Sequence, residues 1–315
     1  MKKLIFFIIF IFQLVNLSTC QPAFAAAGDT KPFENSYFET INGIDLHYRI
    51  WDVSQDKAKG KIFLVHGFCG STFSWRNNAS VLQKAGYEIV AVDLPAFGYS
   101  SRKRGLDHSQ STLAMLLWKL IDKIDSQANM IKGKWNIIGH SMGGGIIAAM
   151  ENQRPENISS LIFVDASVYE KTSDMQKFFT GIWPIRFFVE QSARGKLTNE
   201  KEFKKLLSDA YGEIPDSEIL KGYMEPLKIK GTEQAIVDSL INSKSKNQFD
   251  LKKINVPSLL VFGQNDKWTK KDTAKNMKSE IKNSYLETIS EAAHCPMETQ
   301  SQVFNVVLIN FLNNR

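Results

Sequence analysis

Cysteine is scarce in this chain. There are three in 315 residues, Cys20, Cys69 and Cys295. That is too few for a disulfide framework and excludes the small cross-linked scaffolds of secreted proteins. Internal repeats and low-complexity tracts are lacking, which excludes solenoids and arrays. No charge of one sign dominates. The formal excess is +6, and the basic residues are dispersed through stretches such as 196–205 and 244–253, partly interleaved with acids. This pattern is a solvated surface and gives no stripe for nucleic acid. With 43% hydrophobic and 23% charged residues, the chain has enough apolar material for a globular core and is not disordered throughout.

One long apolar run is present, at 4–15, directly behind Met1-Lys2-Lys3. Ala-rich sequence follows, with A-x-A sites at Ala23-Phe24-Ala25 and Ala25-Ala26-Ala27. A positive start, an apolar stretch and a small-residue site read as a cleaved secretory signal, here 1–27. The protein is therefore expected to be exported, periplasmic or secreted. Loss of Lys2 and Lys3 with the signal takes the formal excess from +6 to +4. Two other readings compete. An uncleaved anchor would need a longer run. A lipid anchor at Cys20 is suggested by Leu17-Ser18-Thr19-Cys20, although Thr is a poor residue before the cysteine.

Beyond a polar linker at 28–35, the pattern becomes rhythmic. Two alternating runs flank Asn42-Gly43, a strong hairpin signal, at 37–41 and 44–51. Short apolar runs at 62–65, 88–93, 135–138 and 161–164 read as strands buried on both faces. Helical patterns at 72–85, 109–127 and 142–153 alternate with them. From about 168 to 255 no buried strand is expected, only helical segments with aromatic faces: Phe178, Phe179, Trp183, Phe187, Phe188, Phe203, Tyr211 and Tyr223. The alternation resumes with a strand at 256–262, a helix at 271–282, a strand at 285–289 and a helix at 299–312. The pattern predicts an α/β fold: a mostly parallel sheet of about eight strands with helices on both faces. The core would comprise 28–167 and 256–315. The helical insertion 168–255 would lie over the carboxyl ends of the strands, where ligands bind in such sheets.

The segment 134–150 carries the chemistry. Ser141 stands between Gly139 and Gly143, after an apolar run and before a small-residue helix. This is the G-x-S-x-G nucleophile elbow: strand, sharp turn, helix. The competing reading is a glycine-rich turn with an incidental serine. A nucleophilic serine needs a base, and the base an orienting acid, here in the order serine, acid, histidine. Of the histidines His47, His66, His108, His140 and His294, only His294 follows Ser141. The acid should sit just after a strand. Asp266 does, and is preferred to Asp165 one strand earlier, where an acid more often pins its loop. Asp93 precedes the serine and reads as a turn-fixing acceptor. Oxyanion donors would be the backbone N–H groups of Met142 and of Phe68, in His66-Gly67-Phe68. His66 itself reads as structural.

Together with Trp75, Asp93-Leu-Pro-Ala-Phe-Gly-Tyr-Ser100, Gly263-Gln-Asn-Asp266 and Ala293-His294-Cys-Pro-Met-Glu298, these pieces resemble the α/β-hydrolase superfamily, in its lipase/esterase-like branch with a helical cap. The resemblance covers nearly everything from Ile62 onward. It implies a Ser141–Asp266–His294 triad, an oxyanion hole from Phe68 and Met142, acyl transfer to water, and neither cofactor nor metal. One departure is Ala96, where the family often has glycine. Serine at the elbow argues against the dehalogenases and epoxide hydrolases of this fold, which use aspartate. Ester hydrolysis is expected first. Carbon–carbon bond hydrolysis, a prolyl-aminopeptidase-like activity and a non-catalytic binding role are the alternatives. No acidic cluster awaits a substrate amine, which weakens the aminopeptidase. The aromatic insertion suggests a small, apolar acyl substrate; no nucleic-acid partner is expected, and membrane contact only through the signal or a lipid anchor. Cys69 and Cys295 adjoin Phe68 and His294, so they read either as a disulfide or, better, as two small buried thiols.

Overall fold

Asn42 and Gly43, with φ of 53° and 71°, close the two-residue turn that their sequence demands. They join β1 (Ser36–Ile41) to β2 (Ile44–Trp51). The computed structural model of the protein describes residues 31–127, 130–169, 183–242, 249–269 and 272–314, with Asn35–Arg315 as one compact unit. The expected signal at 1–27, Cys20, Phe178 and Phe179 lie outside the described residues, as do the side chains of Trp183, Phe187 and Phe188.

Six further strands complete the sheet: β3 (Gly60–Val65), β4 (Tyr87–Val92), β5 (Trp135–His140), β6 (Ile158–Val164), β7 (Ser258–Gly263) and β8 (Ser284–Ile289). Their order is β1-β2-β4-β3-β5-β6-β7-β8. The β1–β2 and β2–β4 pairs are antiparallel, and every other pair is parallel. All residues of β4 and β5 are buried, as a parallel sheet covered on both faces requires. The chain leaves β3 for β4 on one side and returns to β5 on the other. That reversal opens a crevice at the carboxyl ends of β3 and β5. Val65 pairs with Gly139, so the loop 66–68 and Ser141 emerge side by side there.

Helices α1 (Ala79–Lys84), α2 (Gln110–Asp125) and α3 (Met142–Gln153) follow β3, β4 and β5. α2 packs on α3, where the Trp118 indole N–H donates to the Met150 carbonyl at 3.1 Å. Between β6 and β7 the described residues hold α4 (Trp183–Thr198), α5 (Glu200–Tyr211), α6 (Ser217–Met224) and α7 (Thr232–Ile241), and no strand. α8 (Thr273–Glu280), α9 (Pro296–Thr299) and α10 (Ser301–Asn313) complete the fold, with α10 packed on α1.

The helix expected at 72–85 is divided into a 3-10 turn, Thr72–Trp75, and α1. Two polar anchors break it. The Asp93 carboxylate accepts the Thr72 N–H at 2.6 Å, and the Asn78 amide is drawn to the Met297 carbonyl and the Asn305 side chain, both at 2.9 Å. Asp93 is the turn-fixing acceptor its position suggests. It also takes the Tyr99 N–H and pairs with the buried His47, both at 2.7 Å.

Ala96 occupies the left-handed region at φ 77° and is buried. A non-glycine residue there costs about 1–2 kcal/mol, partly offset by the smaller unfolded-state entropy of Ala relative to Gly. Ala96→Gly is therefore expected to stabilise the protein by about 0.5–1 kcal/mol, raising Tm by about 1–3 °C. Calorimetry checks this; an unchanged or lower Tm would mean that the Ala96 methyl contacts outweigh the strain.

Candidate active site

Ser141 sits between β5 and α3 with φ 49° and ψ −116°, a strained conformation for a residue with a side chain. The turn is held by the Ser141 N–H on the Val164 carbonyl at 2.9 Å and by the Ser167 N–H on the Ser141 carbonyl at 3.0 Å. Its tightness explains the flanking glycines. A methyl at Gly139 would lie 2.6 Å from the Gly143 carbonyl oxygen, and one at Gly143 would lie 2.7 Å from that of Val65. Neither clash can be relieved by a side chain moving aside.

The structure brings the three sequence-predicted side chains into one hydrogen-bonded chain. His294 Nε2 is 2.9 Å from Ser141 Oγ, and His294 Nδ1 is 3.0 Å from Asp266 Oδ2. Asp266 Oδ1 accepts the Trp268 N–H at 2.7 Å. Burial by itself would raise the Asp266 pKa. The bonds from His294, Asp165 and the Trp268 amide prevail and hold it below the ordinary carboxylate range. An ionised Asp266 fixes the Nδ1–H tautomer of His294 and leaves Nε2 to face the serine.

Asp165 is not the direct partner of His294. It lies behind Asp266, wholly buried at the end of β6, and accepts the Gly263 N–H at 3.0 Å. Burial, then the Asp266 charge and their mutual hydrogen bond, push its pKa well above the carboxylate range. These effects favour the protonated form of Asp165, which can donate to Asp266. One ligand atom each from Asp165, Asp266 and His294 lies within 4.8 Å of the others, but these atoms are engaged with one another, Ser141 and Gly263.

Further supports surround His294. The His294 N–H donates to the carbonyl of Ala210, near the end of α5, at 2.9 Å. The Trp268 ring stacks on the imidazole at 5.2 Å between centroids, and its indole N–H donates to Asp209 at 2.9 Å. His140 Nε2–H donates to the His294 carbonyl at 2.8 Å. Burial and the neighbouring His294 push His140 down to about 3, so it stays a neutral donor. A buried carboxylate, Glu298, accepts the hydroxyls of Tyr211 and Tyr223, both at 2.6 Å, and pairs with Arg76. That cluster ties α5 and α6 to the core. The roles of Ala210, Asp209 and Trp268 carry no sequence signal and depend on where distant elements end.

Ser141 and His294 open on a cavity of about 390 Å³ whose walls include Phe68, Met142, Phe203, Leu207 and Tyr223. The backbone N–H groups of Phe68 and Met142 donate to no acceptor among the described residues. His66 is structural: its Nε2 accepts the Leu94 N–H at 2.9 Å, and its Nδ1–H points to the Gly67 carbonyl at 2.7 Å. Cys69 and Cys295 both line the cavity as free thiols, the second of the two readings drawn from the sequence. Burial pushes Cys69 up to about 12 and Cys295 also upward, so neither is a ready thiolate.

Comparison with known proteins agrees with this fold. A family model for the alpha/beta hydrolase fold matches residues 61–300. The uncharacterized hydrolase YugF of Bacillus subtilis is 26% identical over 276 residues, spanning 87% of this chain and 96% of its own. A 2-hydroxy-6-oxononadienedioate/2-hydroxy-6-oxononatrienedioate hydrolase of Pseudomonas putida is 24% identical over 298 residues, spanning 89% of this chain and 98% of its own. Among solved structures, the esterase EaEST of Exiguobacterium antarcticum superposes with a TM-score of 0.72 at 16% identity, covering 89% of this chain and all of that one.

The protonation of Asp165 is testable. In Asp165→Asn the amide still donates to Asp266 and its oxygen still accepts from Gly263. Turnover is expected within about threefold of wild type, whereas Asp165→Ala, which strands Gly263 and Asp266, should lose about 1–3 kcal/mol of stability. An acid with a raised folded pKa contributes stability that is full below its unfolded pKa and is lost as pH rises through the folded value. Melting curves from pH 5 to pH 9 should therefore fall more steeply for wild type than for Asp165→Asn. Parallel curves would show Asp165 ionised throughout.

Proposed function

The chain belongs to the α/β-hydrolase family, and on that footing we propose that it hydrolyses uncharged carboxylic esters of small molecules through an acyl-enzyme on Ser141. The observation that carries this reading is the cavity wall. Among the described residues it holds no Lys, Arg, Asp or Glu, beside a serine already bonded to a histidine. A carboxylate substrate would find no cation there and an amine no anion, while an apolar ester meets Phe203, Leu207 and Phe97.

His294 Nε2 takes the Ser141 proton as Oγ attacks the ester carbonyl. Asp266 holds the imidazole in its tautomer and favours the imidazolium that forms; the face of Trp268 adds to this. The Phe68 and Met142 amides receive the oxyanion, with the amino end of α3 behind them. The imidazolium returns its proton to the leaving alcohol, and water repeats the sequence on the acyl-enzyme. Export of the mature protein after removal of 1–27 belongs to the same proposal.

A second reading, hydrolysis of a carbon–carbon bond in a vinylogous diketone, is favoured by the Pseudomonas putida relative. The absence of a cation from the described wall weighs against its dioate form.

The test uses p-nitrophenyl esters from acetate to palmitate, proline p-nitroanilide and a dienoate diketone on the protein from residue 28 onward. Ester turnover is expected, with Ser141→Ala and Asp266→Asn each lowering kcat by about 10⁴-fold or more. Turnover of the diketone alone selects the second reading. Ester turnover retained in Ser141→Ala, or no Ser141 labelling by a fluorophosphonate, defeats the acyl-enzyme.

A further inference from the structure

The amino end of α2 opens on the same cavity, and its polar groups are not all used. His108, Ser109 and Gln110 line the wall there. The helix itself is capped. Ser109 Oγ accepts the Thr112 N–H at 3.4 Å, and Asp107 takes the Ser109 N–H at 2.9 Å and the Thr112 hydroxyl at 3.0 Å. Two side chains are left over. His108 is 6% exposed, and its Nε2 is buried with no hydrogen-bond partner. The Gln110 carboxamide makes no hydrogen bond among the described residues.

An unpaired buried nitrogen costs about 1–3 kcal/mol, so its position beside a substrate cavity requires a reason. Gln110 packs on the start of α3, where a methyl at Gly145 would lie 2.5 Å from Gln110 Nε2. Gly145 is four residues beyond Ser141, about 6 Å along the helix axis. The unused amide therefore stands about one helical turn from the serine.

The charges decide what these groups would recognise. Asp107 already occupies the positive end of α2. Burial holds His108 down at about 4, so the ring is neutral at neutral pH. The described wall contains no Lys or Arg. A second anion would sit near the Asp107 carboxylate, and the described wall offers it no cation. A neutral oxygen suits a carboxamide and a neutral imidazole, each of which has an N–H to donate.

We propose that Gln110 and His108 form a polar subsite for a neutral oxygen, a ketone or hydroxyl, on the substrate away from the bond that is cut. The His108 ring turns about χ2 to present its N–H. The proposal rests on the ester-hydrolase reading and narrows its substrates to oxo- or hydroxy-substituted esters.

The test compares matched pairs in two arms. Hexanoate and 5-oxohexanoate p-nitrophenyl esters probe the acyl part; pentyl and 4-oxopentyl acetates probe the alcohol part. In one arm wild type should prefer the oxo compound in kcat/KM by about 3–10-fold, the range of one neutral hydrogen bond. Gln110→Leu should bring that ratio near unity and His108→Phe should lower it. Gln110→Asn, which keeps the amide but shortens its reach, substitutes if the leucine variant does not fold. Equal ratios in wild type and both variants, in both arms, overturn the subsite. If wild type cleaves no ester, calorimetric binding of methyl hexanoate and methyl 5-oxohexanoate to Ser141→Ala separates the two ideas. Oxo selectivity lost with Gln110→Leu upholds the subsite while the esterase reading falls; no selectivity, or no binding, defeats the subsite.

Discussion

Everything at the centre of this protein depends on how closely three pieces of backbone approach one another: the end of β3, the end of β5 and the first turn of α3. With 2.6 Å and 2.7 Å left for a methyl at Gly139 and Gly143, this is a contact of main chains. It forces Ser141 to a positive φ and so lifts its hydroxyl clear of the sheet. Phe68 and Met142, which flank this contact, line the same cavity as Ser141. The sheet order makes the approach possible, because β3 and β5 are neighbours although β4 lies between them in sequence.

The histidine is held differently. No strain fixes His294; several weak restraints do, from parts of the chain far apart in sequence. The ends of α5 and β5 grip its main chain through Ala210 and His140, Trp268 lies on its ring, and Asp266 takes its Nδ1. Behind Asp266, burial and the Asp266 charge push Asp165 toward its protonated form. Two carboxyl groups in contact cannot both be ionised cheaply in a buried site, so environment gives one the anionic role and the other the donor role.

The mostly parallel sheet, the apolar runs that form its strands and the candidates Ser141, Asp266 and His294 were legible in the sequence because each has a local signature. Buried strands show as short apolar runs, the elbow as two spaced glycines, and His294 as the histidine that follows the serine. What was not legible depends on distant contacts. The break in the helix expected at 72–85 follows from Asp93, which meets Thr72 only after β4 has joined the sheet. Ala210 and Asp209 support the histidine because of where α5 stops, and no motif marks that point. The upward push on the Asp165 pKa depends on Asp266 lying against it, which no local signature shows.

Glu298 has a consequence for how molecules arrive. Its buried carboxylate binds Tyr211 on α5, Tyr223 on α6 and the partly exposed Arg76 of the core. Lifting these helices as a lid would leave the Glu298–Arg76 pair in place but strip the carboxylate of two hydroxyl hydrogen bonds, at a cost of about 1.5–3 kcal/mol each. A route that leaves the cluster intact is cheaper, and the partly exposed Leu206 and Leu240 mark where the cavity meets the surface. Entry through a fixed opening selects by girth, as a sieve does: guests would be sorted by cross-section at the doorway before any chemistry distinguishes them.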